Sequence, residues 1–246
     1  MKQAQTFFSD GEHKWLSIVR DPDKPNYLID TNEYMVSYGG EGLLCDPGGQ
    51  EVFPPVFSAL TAEFDPGRIA GIFASHQDPD IVSSLGLWLE FNPHLRCYIS
   101  WLWTSFIPHF GGTAETFVAI PDGGMEIGLN GLTLEVIPAH YLHSSGNHQL
   151  YDRKAKVLFS GDVGAGLLPA DESDLFVKDF DRHIRYIEAF HRRWMGSEKA
   201  KRDWCERVAK LDIDMLCPQH GAIYAGSDVM RFINWFDELE IGILRS

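Results

Sequence analysis

The chain has 246 residues, a length that suits one α/β domain with a substantial core. Its 21 Lys and Arg against 35 Asp and Glu give a net charge of −14 at pH 7. Because phosphate neutralisation needs clustered Lys and Arg, this balance argues against nucleic-acid and anionic-membrane partners. No stretch approaches the apolar length of a membrane span, and the N-terminus lacks an apolar leader run. We therefore expect a cytoplasmic protein.

The four cysteines are scattered along the chain, and they predict no thiolate site. They are Cys45, Cys97, Cys205 and Cys217, and no CxxC pair occurs. A zinc ribbon or a thioredoxin-type centre is therefore not expected. Residues 45, 97 and 217 lie in or beside apolar runs, so we expect them to be buried free thiols.

Predicted strands and helices alternate along the chain. Apolar or β-branched runs predict strands at residues 26–29, 34–37, 42–45, 69–74, 97–99, 132–137, 156–159 and 213–217. Apolar residues at helical spacing predict helices at residues 52–60, 81–91, 181–194 and 198–211. Early hairpins, alternating elements and a late pair of helices favour an α/β fold of the αββα sandwich type, in one domain over residues 1–246.

The most distinctive feature is a set of His and Asp residues that follow predicted strands. Three stand at alternate positions after the strand at 69–74, and each of the others follows a later strand of its own. The six are His76, Asp78, Asp80, His143, Asp162 and His220. Because loops at strand ends of a layered sheet converge on one edge, we expect these side chains to meet there. Six nitrogen and oxygen donors without a thiolate suit two metal ions, and the carboxylates favour iron or manganese over zinc.

Six segments resemble, in order, the motifs of the metallo-β-lactamase superfamily over nearly the whole chain. They are NEYMV (32–36), LLCDPG (43–48), HQDPD (76–80), HSSGN (143–147), SGD (160–162) and PQHG (218–221). The resemblance implies an αββα sandwich with a dinuclear metal site at one edge.

The first metal motif separates this chain from the zinc hydrolases of that superfamily. Those enzymes read H-x-H-x-D-H, whereas this chain has Asp78 at the second His and Ile81 at the last. A carboxylate in the middle position resembles the flavodiiron branch, which reads H-x-E-x-D. The chain is therefore most similar to the diiron domain of flavodiiron proteins, and more narrowly to stand-alone oxygen-binding diiron proteins that lack the flavodoxin domain.

The resemblance implies a ligand set. One iron would be held by His76, Asp78 and His143, and the other by Asp80 and His220. Asp162 would bridge the two. Asp78 is one methylene shorter than the usual Glu, and Ile81 removes a ligand from the second ion, which leaves either an open position or a mononuclear site. Zinc and manganese are the alternative ions, and no bound flavin is expected.

Three further residues are candidates for contact with the site. Asp46 is expected to hydrogen-bond behind a metal-binding His, although an Asp before Pro-Gly also caps turns. His148 is a candidate proton donor or a surface residue. Tyr224, just past His220, is a candidate for reaching the pocket.

Two functions compete at this point. The first is a non-haem diiron protein that binds dioxygen or nitric oxide, either as a sensor or as an oxidoreductase supplied by a separate electron donor. The second is a zinc-dependent hydrolase, whose metal-bound hydroxide attacks an ester or phosphodiester. A binding module with a vestigial site is a third reading. Expected partners are the gas, a separate redox or signalling protein and, from the resemblance, a second copy in a homodimer.

Overall fold

Two mixed β-sheets pack face to face, and helices cover the outer face of each. The computed structural model describes residues 3–18 and 29–243. The strands of the first sheet are β1 (Ala4–Asp10), β2 (His13–Ile18), β3 (Glu33–Tyr38), β4 (Glu41–Cys45), β5 (Ile69–Phe73), β6 (Arg96–Ser100) and β7 (Phe117–Ile120). They lie in that spatial order, antiparallel from β1 to β4 and parallel from β4 to β7.

The second sheet has the spatial order β13-β12-β11-β10-β9-β8. Its strands are β8 (Glu126–Leu129), β9 (Leu132–Pro138), β10 (His148–Asp152), β11 (Val157–Gly161), β12 (Met215–Pro218) and β13 (Tyr224–Ala225). The pair β11 and β12 is parallel, and the other neighbours are antiparallel. The first sheet is covered by α1 (Phe53–Thr61), α2 (Pro79–Val82) and α3 (Leu85–Phe91). The second is covered by α4 (Phe180–Trp194), α5 (Glu198–Val208) and α6 (Ser227–Glu238).

Alternation of side chains along the strands produces three apolar layers. On β3, Met35 packs against the helices and its neighbour Val36 packs against the second sheet. On β4, Leu44 likewise packs against the helices and Leu43 packs against the second sheet. Because successive strand residues point to opposite faces, a sheet buried on both sides needs apolar residues at consecutive positions. The αββα sandwich predicted from the sequence is confirmed.

The predicted strands from residue 34 onward all occur, within a few residues of the expected bounds. The strand predicted at 26–29 lies outside the described residues except for Ile29, which is not in a strand. The sequence prediction omitted β1, β2, β7, β8, β10, β13 and α6. All four cysteines are buried free thiols, as expected for residues 45, 97 and 217.

The prediction of one continuous helix at residues 81–91 was wrong, because the segment forms two helices with a break between them. Ser83 and Ser84 separate α2 from α3. The backbone N–H of Ser84 donates to the carbonyl of Gly48, and its hydroxyl donates to the carbonyl of Pro47 at 3.1 Å. These bonds to another loop take the place of bonds within one continuous helix. In the described residues, no helix is long and apolar enough to cross a membrane.

Candidate metal centre

Loops at one edge of the sandwich bring the six candidate side chains together. The loop after β5 and the short helix α2 carry three of them, and the loops after β9, β11 and β12 carry one each. The six are His76, Asp78, Asp80, His143, Asp162 and His220. Each loop leaves a strand of a packed sheet, so the sheets fix the positions of the side chains.

Three of these side chains form a first group. His143 Nε2 lies 2.9 Å from Asp78 Oδ2, and His76 Nε2 lies 3.7 Å from the same oxygen. One donor atom from each of the three lies within 4.8 Å of the other two. Atoms at this spacing can surround one cation, which would take the place of the direct contacts between them.

The carboxylate of Asp162 lies between this group and a second one. Its Oδ2 is 3.7 Å from His76 Nε2 and 3.8 Å from His143 Nε2. Its Oδ1 is 3.5 Å from His220 Nε2, which in turn lies 3.4 Å from Asp80 Oδ2. Asp162 therefore turns one oxygen towards each group, which is the arrangement a bridging ligand requires.

Hydrogen bonds orient two of the imidazoles. Ser75 Oγ lies 2.7 Å from Asp46 Oδ2 and 2.9 Å from His76 Nδ1. The hydroxyl donates its one hydrogen to the carboxylate, so it accepts from Nδ1–H of His76. His220 Nδ1 lies 2.5 Å from the carbonyl oxygen of Asp30, to which it donates. Both rings therefore turn Nε2 towards the cluster, where a metal ion would take the place of its proton.

Crowded carboxylates change the pKa values in the cluster. Burial raises the pKa of Asp80. Burial would lower the pKa of His76, but its hydrogen bond to Asp78 and the charges of Asp162 and Asp78 outweigh burial and raise it to about 9. Burial also opposes ionisation of Asp78, yet His143 and His76 hold its pKa well below the ordinary value. The cluster therefore favours positive charge in its interior.

The donor set fits a pair of cations. Asp162 Oδ1 is buried and accepts no hydrogen bond. A buried carboxylate oxygen without a donor is costly unless a cation satisfies it. Three carboxylates and three imidazoles, without a thiolate, suit iron or manganese ahead of zinc.

A cleft of about 300 Å³ opens onto the cluster. Ile29, Phe190 and Trp194 form its apolar side, and Glu51 adds a carboxylate to those of the cluster. No Lys or Arg lies among the described residues that line it. A cleft with carboxylates and apolar walls repels anions and admits small neutral molecules.

Of the three additional candidates, only Asp46 is linked to the cluster. It hydrogen-bonds to Ser75, which hydrogen-bonds to His76. Both of its carboxylate oxygens bind that residue, with Oδ1 accepting from the Ser75 N–H at 2.7 Å. Burial raises the pKa of Asp46 to about 7, although His76 and Ser75 oppose this change. A turn-capping role does not account for these contacts, since Ser75 is distant in sequence.

The structure does not bring His148 or Tyr224 to the cleft. His148 is buried against His140, with ring centroids 4.9 Å apart, and its Nε2 lies 3.3 Å from the carbonyl of Pro121. Burial, with the neighbouring His140, lowers the pKa of His148 to about 4. Tyr224 is buried among core aromatic rings, and its hydroxyl donates to the carbonyl of Gly164 at 2.8 Å. Both residues belong to paired strands, β10 and β13, and their side chains do not line the cleft.

Ile81 does not line the cleft either. Its side chain is fully buried in the apolar layer between the first sheet and its helices. The expectation that this position leaves an opening beside the second ion therefore finds no support in where the side chain lies. The turn of α2 that points Asp80 to the cluster points the next residue into the core.

Sequence reasoning missed residues that hold the ligands. Gln77 Nε2 donates to Asp78 Oδ1 at 2.8 Å, and Gln77 Oε1 accepts from the Ser144 hydroxyl at 2.6 Å. Gly164, two residues after Asp162, donates its N–H to His191 Nε2 at 2.9 Å. Nothing in the sequence pairs residues 164 and 191, but Gln77 stands inside the metal motif and could have been considered.

Comparisons with known proteins identify the family of this chain. A family model described as "ODP family beta lactamase" matches residues 29–221. Two structures of a chemotaxis sensor ODP, a peroxy diiron species and an apo state from T. denticola, have TM-scores of 0.87 and 0.88. Each of the two is 38% identical to this chain in sequence. The match covers 98% of this chain and 96% of the sensor chain.

A more distant solved structure shows the same fold. A flavo di-iron protein from Thermotoga maritima, solved as a point mutant, is 24% identical, with a TM-score of 0.82, over 96% of this chain and 61% of its own. An uncharacterised protein of Methanocaldococcus jannaschii is 22% identical over 210 residues, 83% of this chain. The chain spans about half the length of that relative, 52%.

The fold is that of the metallo-β-lactamase superfamily. Within it, the chain belongs to the ODP family.

Proposed function

We propose that this protein binds dioxygen at a pair of iron ions and acts as an oxygen sensor. His76, Asp78 and His143 would hold one ion, and Asp80 and His220 the other. The observation that carries the proposal is the position of Asp162, which turns one buried oxygen towards each group. The likeness to a diiron chemotaxis sensor supports the choice of iron and of sensing.

The cleft supports a neutral diatomic ligand over the substrates of a hydrolase. Its charged lining is carboxylate, and no cationic side chain stands among its described residues to hold a phosphate or a carboxylate substrate. Dioxygen is the ligand we propose, and nitric oxide is the competing one.

Different residues of the chain would have different roles at this site. Bound iron would supply the electron density with which dioxygen is held. His76 and His220 present their Nε2 atoms because Ser75 and the Asp30 carbonyl fix the other ring nitrogen. Phe190 and Trp194 exclude water from the apolar side of the cleft.

Metal content tests the proposal. The protein is loaded anaerobically with iron and zinc both available, and about two irons per chain are expected for this donor set. Asp162→Ala should lose both ions, because that carboxylate serves both groups. Glu51→Gln, which alters a carboxylate of the same cleft outside the six, should keep both.

Two zinc ions in the wild-type protein would favour the hydrolase, and full iron loading of the Asp162 variant would reject the bridging role. Optical spectra before and after oxygen addition, and separately after nitric oxide, then distinguish the two gases. A separate redox or signalling partner, a homodimer, a cytoplasmic location and a single domain over residues 1–246 remain predictions.

A further inference from the structure

An aromatic pair on α4 covers the cluster. Phe190 and Trp194 are four residues apart and lie on one face of the helix, with ring centroids 5.9 Å apart and planes at 20°. The ring of Trp194 meets His143 edge-on at 5.2 Å, and the ring of Phe190 lies 6.3 Å from His220. The pair therefore spans both groups of the cluster.

The two rings differ in exposure. Phe190 is 6% exposed and belongs to the core beneath α4, whereas Trp194 is 52% exposed. Trp194 is the last residue of α4, and the chain leaves the helix immediately after it. Phe190 is thus a fixed wall, and Trp194 is a large apolar ring at a helix end, beside solvent.

The end of α4 is tied to the loop that carries His143. The N–H of Gly196, two residues after Trp194, donates to the carbonyl of Tyr141 at 3.1 Å. Tyr141 in turn lies two residues before His143. The position of the indole relative to His143 is therefore set by a backbone contact as well as by the contact between rings.

We propose that Trp194 is a gate over the metal centre, with Phe190 as its stationary side. The proposal rests on the metal centre proposed above. The indole covers the more exposed half of the cluster, where Asp78 is 29% and His143 is 14% exposed. It admits a diatomic molecule and slows the passage of water and of larger solutes, so it determines how long a bound gas is protected and how fast ions are lost.

Removal of the indole tests the gate. In Trp194→Ala, a bulky anionic iron chelator should remove the metal roughly tenfold faster than from the wild type, because a lid that excludes solvent has been deleted. The equilibrium metal content should be unchanged, since the indole supplies no ligand. Trp194→Phe retains a ring that can stack on Phe190, and it should restore most of the slow rate.

Trp101→Ala is the matched control. Trp101 is 50% exposed, lies outside the cleft and donates its indole N–H to Asp122 at 2.7 Å. Its loss should leave the chelation rate unchanged. Equal rates for Trp194→Ala and the wild type, or equal acceleration in both alanine variants, would overturn the gate.

The assay also separates the gate from the diiron proposal. Chelation is measured with whichever of iron and zinc the wild type takes up, and a slow wild-type rate with a fast Trp194→Ala rate supports the gate for either ion. A zinc-loaded protein would overturn the diiron proposal alone. A chain that binds neither ion would overturn both.

Discussion

Single residues fix the turn that carries Asp162, whose Oδ1 accepts no hydrogen bond. The residue follows β11 directly, and Gly161 before it has a φ of 55°, in the left-handed region that favours glycine. Two residues later, Gly164 has both backbone groups bound by buried side chains. Its N–H donates to His191 and its carbonyl accepts from Tyr224. The turn after Asp162 is therefore fixed from behind the cluster.

Tyr224→Phe should weaken iron binding without unfolding the protein. The hydroxyl is the only part removed, and residues that orient ligands from behind are typically worth about tenfold in metal affinity. The loss of free energy of unfolding should be about 1 kcal/mol, the usual cost of one hydrogen bond. Iron titration and urea unfolding measure the two quantities.

Tyr151→Phe is the control for this change. Its hydroxyl also donates to a backbone carbonyl, that of Asp212, at 2.8 Å, but away from the cluster. We expect a similar loss of stability and no change in iron affinity. Equal effects of both variants on iron binding would remove Tyr224 from any role at the centre.

At the scale of elements, α2 is a single turn that presents neighbouring residues to different environments. Asp80 lines the cleft, while Ile81 and Val82 are fully buried in the apolar layer between the first sheet and its helices. The break at Ser83 and Ser84 separates α2 from α3, so the turn that carries Asp80 is not part of the core helix α3.

Ile81→His should therefore destabilise the fold and add no ligand. Burying an imidazole without a partner in an apolar layer costs about 2 kcal/mol or more. Ile81→Val, which only shortens the side chain, should cost about 1 kcal/mol. A histidine variant that gains stability on iron addition beyond the wild-type gain would show that position 81 does face the second ion.

The sequence predicted the elements with strong apolar patterns and missed those with mixed ones. Strand β5 is apolar throughout and was predicted, as was α4, whose apolar residues recur at helical spacing. Strand β10 reads HQLYD, yet all five of its residues are buried. Several of its polar side chains bond to partners far away in sequence; the indole N–H of Trp204, for example, donates to Gln149 at 2.8 Å. Such pairings exist only in the folded chain.

At the scale of the whole molecule, buried polar contacts join the two sheets. Asp152 on β10 binds two residues of β2, His13 at 2.7 Å and Trp15 at 2.8 Å. Near the cluster, the hydroxyl of Tyr34 on β3 donates to the carbonyl of Pro218 on β12 at 2.9 Å. These bonds have direction, so they fix how one sheet lies on the other, which apolar packing alone does less strictly.

Asp152→Ala should lower the free energy of unfolding by about 3 kcal/mol, because it leaves buried donors without an acceptor. Asp122→Ala is a matched control, since that carboxylate accepts from the exposed indole of Trp101 at 2.7 Å. Its removal should cost well under about 1 kcal/mol. Urea unfolding measures both, and comparable losses would show that burial does not matter here.

This junction could not be predicted from the sequence, because residues 13 and 152 are separated by 139 positions. The six cluster residues could be proposed, because each follows a recognisable strand and the motifs have a fixed order. Asp46, which lies behind His76, could also be proposed, because it precedes a Pro-Gly turn within a motif. The support behind Asp162 could not, because Gly164, His191 and Tyr224 become neighbours only when helix and sheet pack together.

The cluster draws equally on both sheets. His76, Asp78 and Asp80 follow a strand of the first sheet, and the other three ligand candidates follow strands of the second. Each proposed ion would therefore take donors from both, and the sheets could not part without breaking bonds to metal. Proteases act on opened chains, so the metal-free protein should be degraded sooner. The supply of iron in the cell would then govern the amount of this protein as well as its activity.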